Sequence, residues 1–143
     1  MLDFLDRIPQ RPPFLFIDLV IDRSENKIIT QKKFSSDEEF FKGHFPGNPV
    51  LPGVIQCETV FQTGALLMSY LGEQTGANQT ALVTRIQNAK FKNIVKPEET
   101  LTIEVELTEK LANAAFMKGK ITSGEKTIMT IDFSCAIVSN AQL

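Results

Sequence analysis

The sequence predicts an α+β domain in which one long buried helix packs against an antiparallel sheet. Three observations predict it. "VIQCETVFQTGALLMSYL", within Pro52 to Leu71, contains no proline and reads as a helix of about five turns. "LTIEVELTEKL" (101–111) alternates strictly at its start, with Leu101, Ile103, Val105 and Leu107 set against Thr102, Glu104, Glu106 and Thr108; that is a strand with one buried face. Strand-like segments lie on both sides of the single helix, so the chain does not alternate strand and helix as a parallel fold would.

Taken in order, "FLFIDLVID" (14–22) suits a buried strand, and "KIITQKKF" (27–34) follows it across the turn "RSEN". Residues 35–53, "SSDEEFFKGHFPGNPVLPG", hold too much proline and glycine for regular structure. The helix comes next. Glu58, Gln62 and Ser69 share one narrow stripe of it; Val54, Phe61, Ala65 and Met68 flank the stripe on one side, Ile55 and Leu66 on the other. Gln56, Thr59 and Thr63 form a second polar stripe. A helix apolar over most of its circumference is buried. "GEQTGANQT" (72–80) reads as a loop, and "ALVTRIQNAKFKNIV" holds one strand or more. "NAAFMKGKIT" (113–122) and "KTIMTIDFSCAIV" (126–138) flank "SGE", a hairpin signal.

The 143 residues fit a single domain spanning 1–143, without repeat or linker. A net charge of −2 argues against nucleic acid as main partner, because phosphate binding needs a basic surface. "MLDFLDRIPQ" carries two aspartates and no unbroken apolar run, so no signal peptide is expected there. No apolar run has the length of a membrane span. The two cysteines, Cys57 and Cys135, lie in apolar surroundings and outside any metal-binding spacing, so free thiols in a reducing, cytoplasmic compartment are expected.

The chemistry concentrates in "GHFPGNPVLPG" (43–53), which carries the chain's one histidine, His44, among Pro46, Pro49 and Pro52. Prolines fix backbone angles, and histidine is the side chain that titrates near neutral pH. A rigidly held histidine suits proton abstraction, and it also suits a purely structural role. Glu58 follows on the helix among apolar neighbours. Desolvation there raises a carboxyl pKa and lets it keep a proton, as a general acid must. A glutamate near a helix start also simply favours the helix dipole. Gln62, one turn on, is placed to orient that carboxyl or is an incidental buried amide; the residues leave both open. Gly53 stands where loop becomes helix, where free N–H groups favour developing negative charge; a plain loop-to-helix transition uses glycine too. Base, acid and oxyanion donor together fit removal of an α-proton with loss of a β-hydroxyl as water. No nucleophile elbow, His-rich metal site or nucleotide-binding glycine loop accompanies them.

"GHFPGNPVLPGVIQCETVFQ" resembles the signature of the hotdog-fold (3R)-hydroxyacyl-acyl-carrier-protein dehydratases of FabZ type. "RIPQRPPFLFIDLV" is similar to that family's opening P-H-R-[YF]-P-F-L-L-V-D, and "NAKFKNIVKPEETLTIEVEL" to its K-A-R-F-R-R-x-V-x-P-G-D-x-L region. The resemblance implies a curled antiparallel sheet around one central helix, and a homodimer whose sheets join, with a trimer of dimers beyond it. It implies an active site shared across the dimer, with His44 of one subunit as base facing Glu58 of the other as acid. Gly53 would bind the thioester oxygen and Gln62 would support Glu58. The implied partner is acyl carrier protein, whose phosphopantetheine arm brings the substrate; no metal or organic cofactor is implied. Sister enzymes that also isomerise the double bond carry aspartate where Glu58 stands, so glutamate favours the dehydratase without isomerase activity.

The chain departs from the pattern at several points. Gln10 replaces the histidine and Pro12 the aromatic of the opening motif. Pro97-Glu98-Glu99 replaces P-G-D, and Lys90 and Asn93 replace two arginines. The acidic carrier docks on a basic rim, for which Arg11, Lys90, Lys92 and Lys96 are the candidates; ordinary solvated side chains fit those positions equally. Two other readings compete: a specialised dehydratase of polyketide or secondary lipid synthesis, and a non-catalytic acyl-binding hotdog subunit.

Overall fold

The computed structural model describes residues 3–72, 79–139 and 141. Of the loop expected at 72–80, residues 73–78 lie outside the described residues, and its last two, Gln79 and Thr80, already belong to the following strand. The arrangement of strands around one long helix follows the predicted plan. After a 3₁₀ turn at Leu5–Arg7 come β1 (Leu19–Arg23), β2 (Lys27–Lys33), α1 (Glu39–Gly43), α2 (Gly53–Tyr70), β3 (Gln79–Phe91), β4 (Thr100–Leu111), β5 (Ala114–Ser123) and β6 (Lys126–Ser139). The strands form one antiparallel sheet in the order β1-β2-β4-β5-β6-β3. α2 packs on β2, β3, β4 and β5.

Burial follows the alternation read in β4: Leu101, Ile103 and Val105 are fully buried against Leu66, Leu67 and Met68 of the helix layer, while Thr102 and Glu104 are not. Met117 and Ile121 of β5 and Ile131 and Phe133 of β6 continue the same face. Helix and sheet meet closely at Gly119, where an added Cβ would run into Val60. The polar stripe Thr59–Thr63 is buried too, and its hydroxyls are used. Thr59 Oγ1 donates to Ile55 O (2.8 Å), and Thr63 Oγ1 meets Thr30 Oγ1 of β2 at 2.8 Å. Such contacts set the rotation of a helix that is apolar nearly all round. No described helix is long and apolar enough to cross a membrane.

Two expectations need correction. The segment expected to be a strand from residue 14 enters the sheet only at Leu19. Before that, Phe14 and Phe16 bond a side chain of α2 in place of a neighbouring strand. Within the supposedly irregular 35–53, Glu39–Gly43 makes a short helix, closed on its surface by Lys42 Nζ to Glu39 Oε1 at 2.8 Å. The prolines that forbid regular structure begin only at Pro46.

β3 stands apart. It is a single strand, bulged between Gln87 and Lys90, where Asn88 takes φ 54°. It lies at the sheet edge, and every residue from Leu82 to Ile94 is exposed, including the large apolar Leu82, Val83, Ile86 and Phe91.

Candidate active site

His44 follows directly on the last residue of α1, in extended backbone, and is half-buried. The chain then takes a left-handed step at Phe45 (φ 54°), closed by Asn48 N–H to Phe45 O at 2.9 Å. A left-handed aromatic residue is strained and persists only where its surroundings over-determine it. The Phe45 ring, 63% exposed, stands edge-on to the imidazole with centroids 4.7 Å apart. On the other side His44 Nδ1 lies 2.9 Å from Val50 O. A carbonyl only accepts, so Nδ1 carries a hydrogen, and in the neutral ring the lone pair is on Nε2. The loop thus fixes both the ring and its tautomer, with Nε2 as the basic atom.

Glu58 lies one and a half turns into α2 and is partly buried. Burial pushes its carboxyl above the usual carboxylate range, and a hydrogen bond from Gln62 draws it partly back. That bond, Gln62 Nε2 to Glu58 Oε2, measures 2.9 Å. Gln62 is fully buried and uses both Nε2 hydrogens, the second donating to Phe14 O (3.0 Å), while Oε1 accepts from Phe16 N–H (2.8 Å). Glu58 makes no ion pair among the described residues, and no hydrogen bond or ion pair joins it to His44 of the same chain.

Gly53 opens α2 behind Pro52, with no side-chain cap. The amides of Ile55 and Gln56 turn back to Pro52 O, leaving those of Gly53 and Val54 without a carbonyl partner among the described residues. Space is tight here: an added Cβ would stand 3.1 Å from Cε1 of Phe91, so that ring would have to shift. Beside it opens a recess of about 260 Å³, walled by Val50, Leu51, Phe91 and Ile94 and edged by Lys92. Among the described residues, no group of three or more His, Cys, Asp and Glu side chains is placed to hold a metal ion.

The four basic candidates differ. Lys90, Lys92 and Lys96 are exposed and make no ion pair among the described residues. Arg11 donates to the carbonyls of Leu5, Ile8 and Gln10, each at 2.7 Å, so its guanidinium braces the N-terminal segment. Sequence reasoning missed the carbonyl of Val50, the backbone of Phe14 and Phe16, and the Phe91 ring. Only Phe91 had a signal, its place in the "NAKFKNIV" match.

The FabA-like domain model matches residues 8–132. The chain belongs to the FabA-like family. Within that family it is 37% identical over 142 residues to the 3-hydroxyacyl-[acyl-carrier-protein] dehydratase FabZ of Caulobacter sp. (strain K31), covering 99% of this chain and 87% of the relative. It is 40% identical over 119 residues to the FabZ of Petrotoga mobilis, covering 83% and 84% of the two chains. The dehydratase heterocomplex ApeI:P from Xenorhabdus doucetiae superimposes with a TM-score of 0.81 at 16% identity, over 96% of this chain and 92% of that one. A protein from Pyrococcus horikoshii does so at 0.71 and 12% identity, over 93% and 92%. This FabA-like chain therefore has the hotdog fold and FabZ-type dehydratases as its relatives.

Proposed function

We propose that this FabA-like protein converts (3R)-3-hydroxyacyl-acyl-carrier-protein to the trans-2-enoyl thioester in fatty-acid synthesis. The observation that carries the reading is the Gln62–Glu58 hydrogen bond: a half-buried carboxyl with a raised pKa, aimed by a buried amide that is itself held at both ends, in a chain that matches FabZ along nearly its whole length. His44 Nε2 takes the proton from C2. The electron pair forms the C2–C3 double bond as the C3 hydroxyl leaves. Glu58 protonates that hydroxyl, so water departs, and the proton on His44 returns to Glu58 through solvent. The free Gly53 amide and the helix dipole behind it bind the thioester oxygen as it gains charge.

We read the working form as a homodimer, with three dimers in a hexamer as the larger assembly the resemblance implies. A second copy pairing along β3 would cover its open edge and its exposed apolar side chains, which single-chain proteins otherwise protect. Such a dimer lets His44 of one chain meet Glu58 of the other, which fits the absence of a hydrogen bond or ion pair between them among the described residues of one chain. The recess beside Gly53, with Lys92 at its rim, suits entry of the phosphopantetheine arm. Lys90 and Lys96 extend a basic docking surface for the acidic carrier. The two unpaired cysteines favour a reducing, cytoplasmic setting.

The test is to incubate the protein with 3-hydroxyacyl and crotonyl thioesters of acyl carrier protein and follow the absorbance of the conjugated enoyl group. Conversion in both directions is expected. No conversion at any chain length would overturn the reading.

A further inference from the structure

We infer that the backbone of Phe14 and Phe16 is a positioning element of this site: through Gln62 it fixes Glu58 Oε2 as a hydrogen-bond acceptor and leaves Oε1 as the oxygen that carries and delivers the proton. The inference rests on the dehydratase reading for the word "delivers", and on geometry alone for the rest.

The orientation of the Gln62 amide is not a free choice. Phe16 N–H can only donate, so the atom it meets at 2.8 Å is the amide oxygen. Phe14 O can only accept, so the atom 3.0 Å from it is the amide nitrogen. A carboxamide spans a residue's C=O and the N–H two positions on as a neighbouring strand would. Here it replaces the strand partner that Phe14 and Phe16 lack; the sheet takes over at Asp18, whose N–H donates to Gln31 O of β2 at 2.8 Å. With one Nε2 hydrogen on Phe14 O, the second points at Glu58 Oε2, 2.9 Å away. Flipping the amide would oppose donor to donor and acceptor to acceptor in a fully buried place, so it stays as it is.

A protonated carboxyl has one good acceptor, its carbonyl oxygen. The Gln62 N–H claims that acceptor at Oε2, so the proton resides on Oε1. The strap that enforces this is itself held. Phe16 is 2% exposed and packs between the rings of Phe14 and Phe34, with centroids at 4.8 and 5.4 Å. Phe14 N–H closes on Arg11 O at 2.8 Å, and the Arg11 guanidinium ties down the turn before it. The chain's departures at Gln10 and Pro12 lie in this same segment, so strap geometry at those positions reaches the acid through Gln62.

Two measurements test it. The first needs no variant. In the native protein the Phe16 amide lies outside every strand and helix, yet its hydrogen exchange is expected to be as slow as that of amides within β4. Exchange at the rate of an open loop would overturn the clamp, whatever the enzymatic activity. The second replaces Phe16 with its α-hydroxy analogue, turning the amide N–H into an ester oxygen, and pairs it with Gln62→Met, which keeps the volume and loses the donor. Both are expected to lower kcat about tenfold with KM changed less than about twofold. In Gln62→Met the high-pH limb of the kcat profile moves to higher pH, because the bond that draws the Glu58 carboxyl down is gone. Among the described residues the groups that act on that carboxyl are its buried surroundings, which raise its pKa, and Gln62, which lowers it. An unchanged kcat and pH profile in folded variants would overturn the positioning role. A native protein inactive on every thioester, with the Phe16 amide still protected, would instead sink the dehydratase reading and leave the clamp standing.

Discussion

His44 sits half-buried in a loop of prolines and one left-handed aromatic residue, and a single carbonyl, Val50 O, holds its ring. Glu58 sits on the flank of a long helix, and a side chain holds it that is held in turn by backbone 46 and 48 residues away. The proposed base is therefore ordered locally, by what its own segment allows the chain to do. The proposed acid is ordered by tertiary structure. A loop can fix a tautomer within a few residues, because one backbone carbonyl is enough. Raising the pKa of a carboxyl needs burial, and burial needs the rest of the fold.

The largest expected effect breaks either half of the pair. His44→Ala and Glu58→Gln should each lower kcat by about 10²–10⁴-fold, the usual worth of a positioned base or acid, while circular dichroism stays native. If either variant turns over near the native rate, its assigned role is wrong. The two inactive proteins then sharpen the comparison when mixed. Should the base of one subunit serve the acid of the other, subunit exchange restores about one quarter of native activity, since half the dimers are mixed and each holds one intact site. Mixtures that stay inactive after verified exchange would place both groups of a site in one chain.

The difference between the two halves also decides what was legible in the sequence. The loop announced itself, because prolines and glycines constrain the backbone wherever they stand, and the lone histidine among them drew the eye. The helix and its Glu58–Gln62 stripe were legible through periodicity, and the β4, β5 and β6 strands fell within a residue or two of their observed ends. The clamp on Gln62 was not legible. Its partners are main-chain atoms of Phe14 and Phe16, and main-chain atoms leave no mark in residue identity. For the same reason an apolar run from residue 14 looked like strand throughout, although its first residues pair with a side chain. The Val50 carbonyl that sets the His44 tautomer was hidden in the same way.

A smaller effect tests the junction between loop and helix. Gly53→Ala places a Cβ 3.1 Å from the Phe91 ring, tighter than ordinary contact. Phe91 is 52% exposed and can yield, so stability should fall little. The recess beside the free amide changes shape, and kcat/KM should drop roughly tenfold to a hundredfold, as small misplacements at a reacting centre do. Adding Phe91→Leu should recover part of that loss. Native kcat/KM in Gly53→Ala would show that the Phe91 contact has no bearing on the site.

The smallest effect concerns stability, and it separates the acid from the base most cleanly. Burial raises the folded-state pKa of Glu58 above its unfolded value, so in the window between the two the folded chain binds the proton that the unfolded chain releases. Stability from this group is thus fully present below the unfolded pKa and is lost as pH rises through the folded one. The sign is opposite to that of an ion-paired carboxylate, and among the described residues Glu58 has no ion pair to reverse it. Glu58→Gln keeps a neutral polar group there at every pH. Its melting temperature should therefore gain on that of the native protein as pH rises from about 4.5 to 8, the lower bound being an ordinary carboxyl value. A difference that stays flat across this range, measured by thermal melts at matched ionic strength, would mean that the carboxyl is solvated in the folded chain, and the acid half of the site would lose its physical basis.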